Sequence, residues 1–274
     1  MMGKILIIAG SDSGGGAGIQ ADIKTVSALG GFAMTAVTAL TAQNSLGVSA
    51  ILPVPSQFVI EQLDSVMSDF GADAIKVGMI FDPALMIAVA DWLRTKARGI
   101  PMVLDPVMVA KGGAALVQDR AQTTLLEHLV PLACCVTPNI PEAESLSGLT
   151  LLDLDDRRRA AQRILARGAR SVLIKGGHAE LEAQTVTDLL VESNREEIFT
   201  SPRLATRHSH GTGCTLSSAM ACGLAQNLTL SAAVRRARNY VFAALESAPG
   251  LTDPSFAKGH GPLNHSVYAV APKD

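Results

Sequence analysis

The chain has 274 residues, of which 48% are apolar and 18% charged, a balance that offsets the entropy of ordering a chain and excludes long disordered stretches. A formal net charge of −2 and 4% aromatic residues supply neither a basic field for phosphate backbones nor faces for stacked bases, so nucleic acid is not an expected partner. No stretch approaches the ~20 apolar residues that span a bilayer, residues 85–93 being broken by Asp91, and the expectation is a soluble, cytoplasmic protein with no membrane partner. The four cysteines are Cys134 and Cys135 side by side, plus Cys214 and Cys222. Without C-x-x-C spacing they point to a reducing compartment and no zinc site, and Cys134, Cys135 and Cys222 read as small buried hydrophobes.

In chain order, short apolar runs alternate with longer segments of helical period, the pattern of repeated βα units around a buried, mostly parallel sheet. Strands are expected at residues 4–9, 32–39, 74–79, 102–107, 134–137 and 171–174, with helices around 17–29, 56–70, 83–97, 119–130 and 155–167. In the second helix Val59, Leu63, Val66 and Phe70 form one apolar stripe that should face the sheet. The Arg157, Arg158 and Arg159 cluster of the fifth reads as a solvated face. Beyond Lys175, residues 185–191 and 197–204 look like an antiparallel hairpin turning near 193–195. Two more helices, about 213–226 and 230–247, precede a Gly/His/Pro-rich tail from Gly259. With no repeat or linker, residues 1–274 read as a single domain.

Two glycine-rich loops stand out. Residues 10–18 join the first strand to the first helix, where glycines let backbone amides approach a ligand. Gly16-x-Gly18-x-x-Ala21 fits a dinucleotide fingerprint in form, yet the second strand ends in Thr38, Ala39, Leu40 and Thr41, without the acid that holds a ribose. No G-x-x-x-x-G-K-[ST] occurs, so a phosphate cradle must lie elsewhere. His210, Gly211, Thr212, Gly213, Cys214 and Thr215 open a helix. The amides of Gly211, Thr212, Gly213 and Cys214 there either form an anion hole for a phosphoryl group or belong to a plain glycine-rich helix start with a buried thiol.

Taken together, AGSDSGGGAGIQADIKT (residues 9–25), TAQN (41–44), KVGM (76–79), LDPVM (104–108), TPNIPEAE (137–144), KGGH (175–178), HGTGCT (210–215) and KGHGP (258–262) run in order along nearly the whole chain. In this ordered set the chain resembles the hydroxymethylpyrimidine and phosphomethylpyrimidine kinases of thiamine biosynthesis. The resemblance implies an α/β fold, the ribokinase-like three-layer α/β/α sandwich with a mostly parallel central sheet and an antiparallel edge hairpin. It implies two ATP-dependent steps, from 4-amino-5-hydroxymethyl-2-methylpyrimidine to its monophosphate and then to the diphosphate, in a homodimer.

By the same resemblance Asp105 and Glu142 are candidate ligands of Mg2+, partly through water. Helix or turn capping is the alternative for both, since Glu142 follows Pro141 at a helix start. Lys175, at a strand end before Gly176 and Gly177, is a candidate for ATP phosphates, with Thr206, Gly211 and Gly213. Where the wider superfamily has an aspartate as the last residue of the helix-opening motif, this chain has Cys214. Helix-start amides lower a thiol pKa, which leaves Cys214 as base or as part of the anion hole with Gly211, Thr212 and Gly213. For the substrate, Gln43 offers donors and an acceptor to an aminopyrimidine edge, Met79 and Val107 could pack on its ring, and Gly10 borders it. Asp22 is either a ligand for the substrate's hydroxyl or amino group or an exposed helix acid. The histidines show no metal spacing, and His210 either orients the anion loop or packs it. Two rivals remain at this level: a pyridoxine or pyridoxal kinase of the same superfamily, and a non-catalytic binding module on the same scaffold.

Overall fold

The computed structural model describes residues 2–107, 115–178, 184–250 and 259–268. Met108 and Lys258 of the motifs above lie outside them. Strands occupy β1 (Lys4–Asp12), β2 (Phe32–Asn44), β3 (Gly47–Pro53), β4 (Ala74–Val77), β5 (Met102–Leu104), β6 (Cys135–Val136), β7 (Ser171–Ile174), β8 (Thr185–Glu192) and β9 (Arg195–Pro202). The helices are α1 (Gly18–Ala28), α2 (Ser56–Asp69), α3 (Pro83–Lys96), α4 (Ala115–Thr124), α5 (Ile140–Ser147), α6 (Leu154–Leu165), α7 (Thr212–Ala225) and α8 (Leu230–Glu246). Among the described residues the strands form one sheet in the order β3-β2-β1-β4-β5-β6-β7-β8-β9. It is parallel from β2 to β7 and antiparallel at both edges, β3 on β2 and the β8–β9 hairpin on β7.

The central strands are mostly apolar because both of their faces are covered, with Lys76 in β4 a buried exception. In β1, Leu6 and Ile8 join a core shared with α2, α3, α5 and α6. Ile5 and Ile7, pointing the other way, join a second core with α1, α7 and α8. The result is a three-layer α/β/α sandwich. Caps fix the helix starts on this frame: Asn139 with Glu142 and Asp153 with Asp156 form capping boxes that open α5 and α6.

Several sequence expectations change. The second strand runs on to Asn44 and turns into β3, an edge strand whose residues are largely exposed. In α2, Val59 and Leu63 are buried, but Phe70 is 48% exposed. Phe70 is where the helix ends, and its ring packs on Phe32 at 5.7 Å between centroids instead of on the sheet. The fourth helix begins at Ala115 and closes through a π turn, Leu125–Leu129, and a 3-10 turn, Val130–Leu132, that accommodates Pro131. Cys135 and Cys222 are buried as expected, whereas Cys134 is only half-buried. Arg158 and Arg159 pair with Asp155, Glu196 and Asp156 on the surface, while Arg157 reaches the Thr187 carbonyl. The tail is no loose end over residues 259–268, since His210 N donates to the Gly261 carbonyl and His260 N to that of Ser45. No helix among the described residues is long and apolar enough to cross a membrane.

Candidate active site

Parallel strands place all their carboxyl ends along one edge of the sheet, and the charged residues of the motifs collect there. Asp105 follows β5, 2% exposed, with its amide on the Val77 carbonyl. Lys175 follows β7 and sets its Nζ 3.0 Å from Asp105 Oδ1 and 3.8 Å from Glu142 Oε2. The hydroxyls of Thr137 and Ser217 each lie 3.4 Å from the Asp105 carboxylate. Glu142 does cap α5, its Oε2 accepting from Asn139 N at 2.8 Å, and that same oxygen faces Lys175. The capping and the site readings are thus both satisfied by one geometry. Burial pushes the Glu142 carboxyl up to about 7, against the pull of Lys175 and with the charge of Asp105 adding to the rise. Burial works to discharge Lys175, but Asp105 and Glu142 outweigh it and hold the ammonium above the ordinary lysine range.

The start of α7 stands over this cluster. Gly211, the N-cap, has φ 87°, and a Cβ there would lie 1.9 Å from the Gly16 carbonyl oxygen, so only glycine fits. A Cβ on Gly213 would lie 3.3 Å from Lys175 Nζ and 3.4 Å from Asp105 Oδ2. Thr212 turns both its amide and its hydroxyl to the Ser209 carbonyl, at 3.4 and 3.0 Å. That narrows the expected donor set to first-turn amides such as those of Gly213 and Cys214, which an α-helix leaves without an intrahelical partner. The Cys214 thiol is not activated. Burial pushes it up to about 11, the charge of Lys76 only partly opposing, so the lowered pKa expected from the helix start is overruled by desolvation.

The loop of residues 10–18 differs from expectation. Asp12, at the end of β1 and 2% exposed, fills the loop with its own carboxylate. Gly14 N donates to its Oδ1 at 2.8 Å, while Gly16 N, Ala17 N and His210 Nε2 donate to its Oδ2 at 3.1, 2.8 and 2.9 Å. Burial alone would raise this carboxyl, but His210 and the amides of Ala17 and Gly14 hold it below the ordinary range. The loop's amides therefore serve an internal anion. Gly10 remains a point of close approach, because a Cβ there would meet Met79 Cε at 2.4 Å. Gln43, Met79 and Val107 are half-buried at the same edge. The Gln43 Oε1 accepts from Thr41 Oγ1 at 3.1 Å, and its Nε2 faces His210 Nε2 at 3.5 Å.

Asp22 is neither an exposed acid nor open to a ligand. Fully buried, it pairs with Lys76 Nζ at 2.8 Å through Oδ2 and accepts from Ser218 Oγ at 2.7 Å through Oδ1. The Thr206 hydroxyl accepts from the His208 amide at 3.1 Å. Sequence reasoning passed over Lys76 and Asp12 as functional groups. The signals were present, a lone lysine in the apolar run of β4 and an acid set among glycines, where Asp commonly bonds nearby amides. Among the described residues no three His, Cys, Asp or Glu side chains are grouped to hold a metal ion by themselves. Asp105 and Glu142, oxygen donors on either side of one cation, form the smaller set suited to a magnesium ion that arrives with phosphate and keeps its waters.

The chain matches the family model described as phosphomethylpyrimidine kinase over residues 12–264. It is 44% identical over 271 residues to the hydroxymethylpyrimidine/phosphomethylpyrimidine kinase of Bacillus subtilis, covering 97% of this chain and 95% of that protein. Against the thiamine biosynthesis bifunctional protein ThiED of Geobacter sulfurreducens the identity is 49% over 272 residues, 99% of this chain but 54% of that protein, so the chain spans about half of that relative. The solved ADP complex of Bacillus subtilis pyridoxal kinase superposes with a TM-score of 0.88 at 35% identity, covering 97% of this chain and 98% of that one. Since these matches run through nearly the whole chain, the chain belongs to the phosphomethylpyrimidine kinase family and has its ribokinase-like fold.

Proposed function

We propose that this kinase transfers the γ-phosphoryl group of ATP to the hydroxymethyl oxygen of 4-amino-5-hydroxymethyl-2-methylpyrimidine, and then a second to the resulting monophosphate, for thiamine biosynthesis in the cytoplasm. One observation carries the reading: the first turn of α7 meets Lys175 and Asp105 within 3.4 Å of the position of a Cβ on Gly213. Free helix-start amides, a cation and a carboxylate converge where a phosphoryl group would pass. The acceptor oxygen bonds to the γ-phosphorus as the bond to the β–γ bridging oxygen breaks, and ADP leaves with that electron pair. The acceptor proton is lost to water late in the transfer, since a loose transition state asks little of a base and a thiol at about 11 offers little.

In this reading Lys175 holds nucleotide phosphates, with Thr206, Gly211 and Gly213 beside them, and Gly213 and Cys214 donate to the moving group. Asp105 and Glu142 hold Mg2+, which when bound neutralises charge on the phosphate oxygens. Gln43 reads the aminopyrimidine edge, while Gly10, Met79 and Val107 bound the ring. A homodimer is part of the proposal, supported by Leu40, Leu46, Ile51 and Leu52, all at least 40% exposed on β2 and β3 and the turn between them. Light scattering should give twice the 28.5 kDa of the chain, and a monomer at micromolar concentration would remove that part.

A second reading, pyridoxal kinase, is favoured by the close superposition on that enzyme. Steady-state ADP release with Mg2+-ATP and, separately, hydroxymethylpyrimidine, its monophosphate and pyridoxal separates the two. Turnover of both pyrimidines is expected. Turnover of pyridoxal alone would transfer the chain to the second reading, and release with no acceptor dependence would refute both.

A further inference from the structure

His210 and Asp12 join two loops that the reading above gives different work. His210 immediately precedes the N-cap of α7, and Asp12 is the internal anion of the loop next to the acceptor site. Their hydrogen bond, His210 Nε2 to Asp12 Oδ2 at 2.9 Å, crosses from one to the other. The backbones are in contact at the same place: a Cβ on Gly211 would overlap the Gly16 carbonyl oxygen at 1.9 Å, and one on Gly16 would meet His210 Cδ2 at 2.6 Å. His210 N is in turn held by the Gly261 carbonyl at 3.1 Å, and a β-bridge links His210 to Pro262.

Because Asp12 Oδ2 accepts at this distance, His210 carries its proton on Nε2. That nitrogen then has no lone pair for Gln43 Nε2 at 3.5 Å, and the Gln43 amide stays free to donate to an acceptor molecule. A displacement of ~1 Å between reacting groups costs on the order of 100-fold in rate, so the bond that sets the spacing of phosphoryl site and acceptor site matters to turnover more than to binding.

We propose that Asp12 and His210 are positioning residues for phosphoryl transfer: their hydrogen bond holds the anion-binding start of α7 in register with the acceptor loop. The inference rests on the kinase reading above but on neither choice of acceptor. It is tested by kcat and KM for His210→Gln, His210→Asn and Asp12→Asn with whichever acceptor the wild type turns over. A glutamine places its amide nitrogen near the position of the imidazole Nε2, while an asparagine falls short by a bond. His210→Gln should keep kcat within about threefold, and His210→Asn should lose about 10- to 100-fold in kcat with KM for ATP within about threefold. His210→Asn combined with Asp12→Asn should fall no further than the worse single variant. Imidazole 15N shifts read the pair independently of turnover and should show the proton fixed on Nε2 in the wild type but not in Asp12→Asn. Wild-type kcat in His210→Asn, equal damage from Gln and Asn, or a loss confined to KM for ATP would overturn the proposal. A wild type inactive on every acceptor would instead count against the kinase reading, and the ring 15N shifts would still accept or reject the pair.

Discussion

Glu142 illustrates how one side chain answers to both folding and chemistry. Its carboxyl, ordinarily near 4.5, is held up at about 7 by burial. Between those values the folded protein keeps a proton that the unfolded chain has released, so this group's contribution is complete below about 4.5 and is lost as pH rises through about 7. Glu142→Gln removes the titration. In urea denaturation of the nucleotide-free protein the variant should gain about 1–3 kcal/mol relative to wild type at pH 8 over its relative stability at pH 5. An identical pH dependence in both proteins would mean that Lys175 alone neutralises the site. Single residues were also the hardest part of the site to read in advance. Lys175, Glu142 and Lys76 all sit in recognisable motifs, but the place of Lys76 in the site rests on Asp22, 54 residues away in sequence. Such a pair has no spacing signature, because the fold and not the local chain brings it together. Asp12 was hidden for the opposite reason, since its neighbours are local but their amides could equally have faced a ligand.

At the scale of elements, the first turn of α7 is the part on which the reading depends most. A methyl group at position 213 would project toward Lys175 Nζ and Asp105 Oδ2, at 3.3 and 3.4 Å. Gly213→Ala should therefore lower kcat/KM at least about tenfold, while thermal unfolding moves by only a few degrees, because the crowding falls on the site and not on a core. Unchanged kcat/KM would place the phosphoryl path elsewhere. The parallel strands were legible because burial on both faces writes them as unbroken apolar runs, as in Ile5, Leu6, Ile7 and Ile8. β3 was not legible, since an exposed edge strand needs no apolar pattern and Gly47–Pro53 ends in proline. The extent of β1 and β2 was underestimated for a related reason: both run past their apolar stretch into the site, β1 through a register shift between Ala9 and Ser11.

For the molecule as a whole, the order of the strands decides where chemistry can occur. With β1 and β4 to β7 parallel, Asp12, Asp105 and Lys175 reach one edge although they are far apart in sequence. The antiparallel additions at both sides widen that edge, β3 beside Gln43 of β2 and β8 beside the Lys175 turn, where Asp188 Oδ1 accepts from Gly176 N at 2.6 Å. Two cores of different character back the sheet. That of α2, α3, α5 and α6 mixes Leu, Ile and Val with alanines and Trp92, whereas α7 contributes, beside Leu216 and Met220, the run of Ser217, Ser218, Ala219, Ala221 and Gly223, small residues that let a helix lie close to strands and neighbours.

The burial of α7 from Thr215 to Gly223 leaves that helix no independent way to open. Its backbone amides there should exchange with deuterium only when the entire protein unfolds, while those of residues 211–214, at the mouth of the site, exchange from the native state and slow when nucleotide binds. Equal, rapid exchange along the whole helix would show instead that the catalytic end moves as one body with its core. The expected pattern means that the amides proposed to bind the phosphoryl group sit at the open end of a helix whose remaining turns are anchored by their own burial.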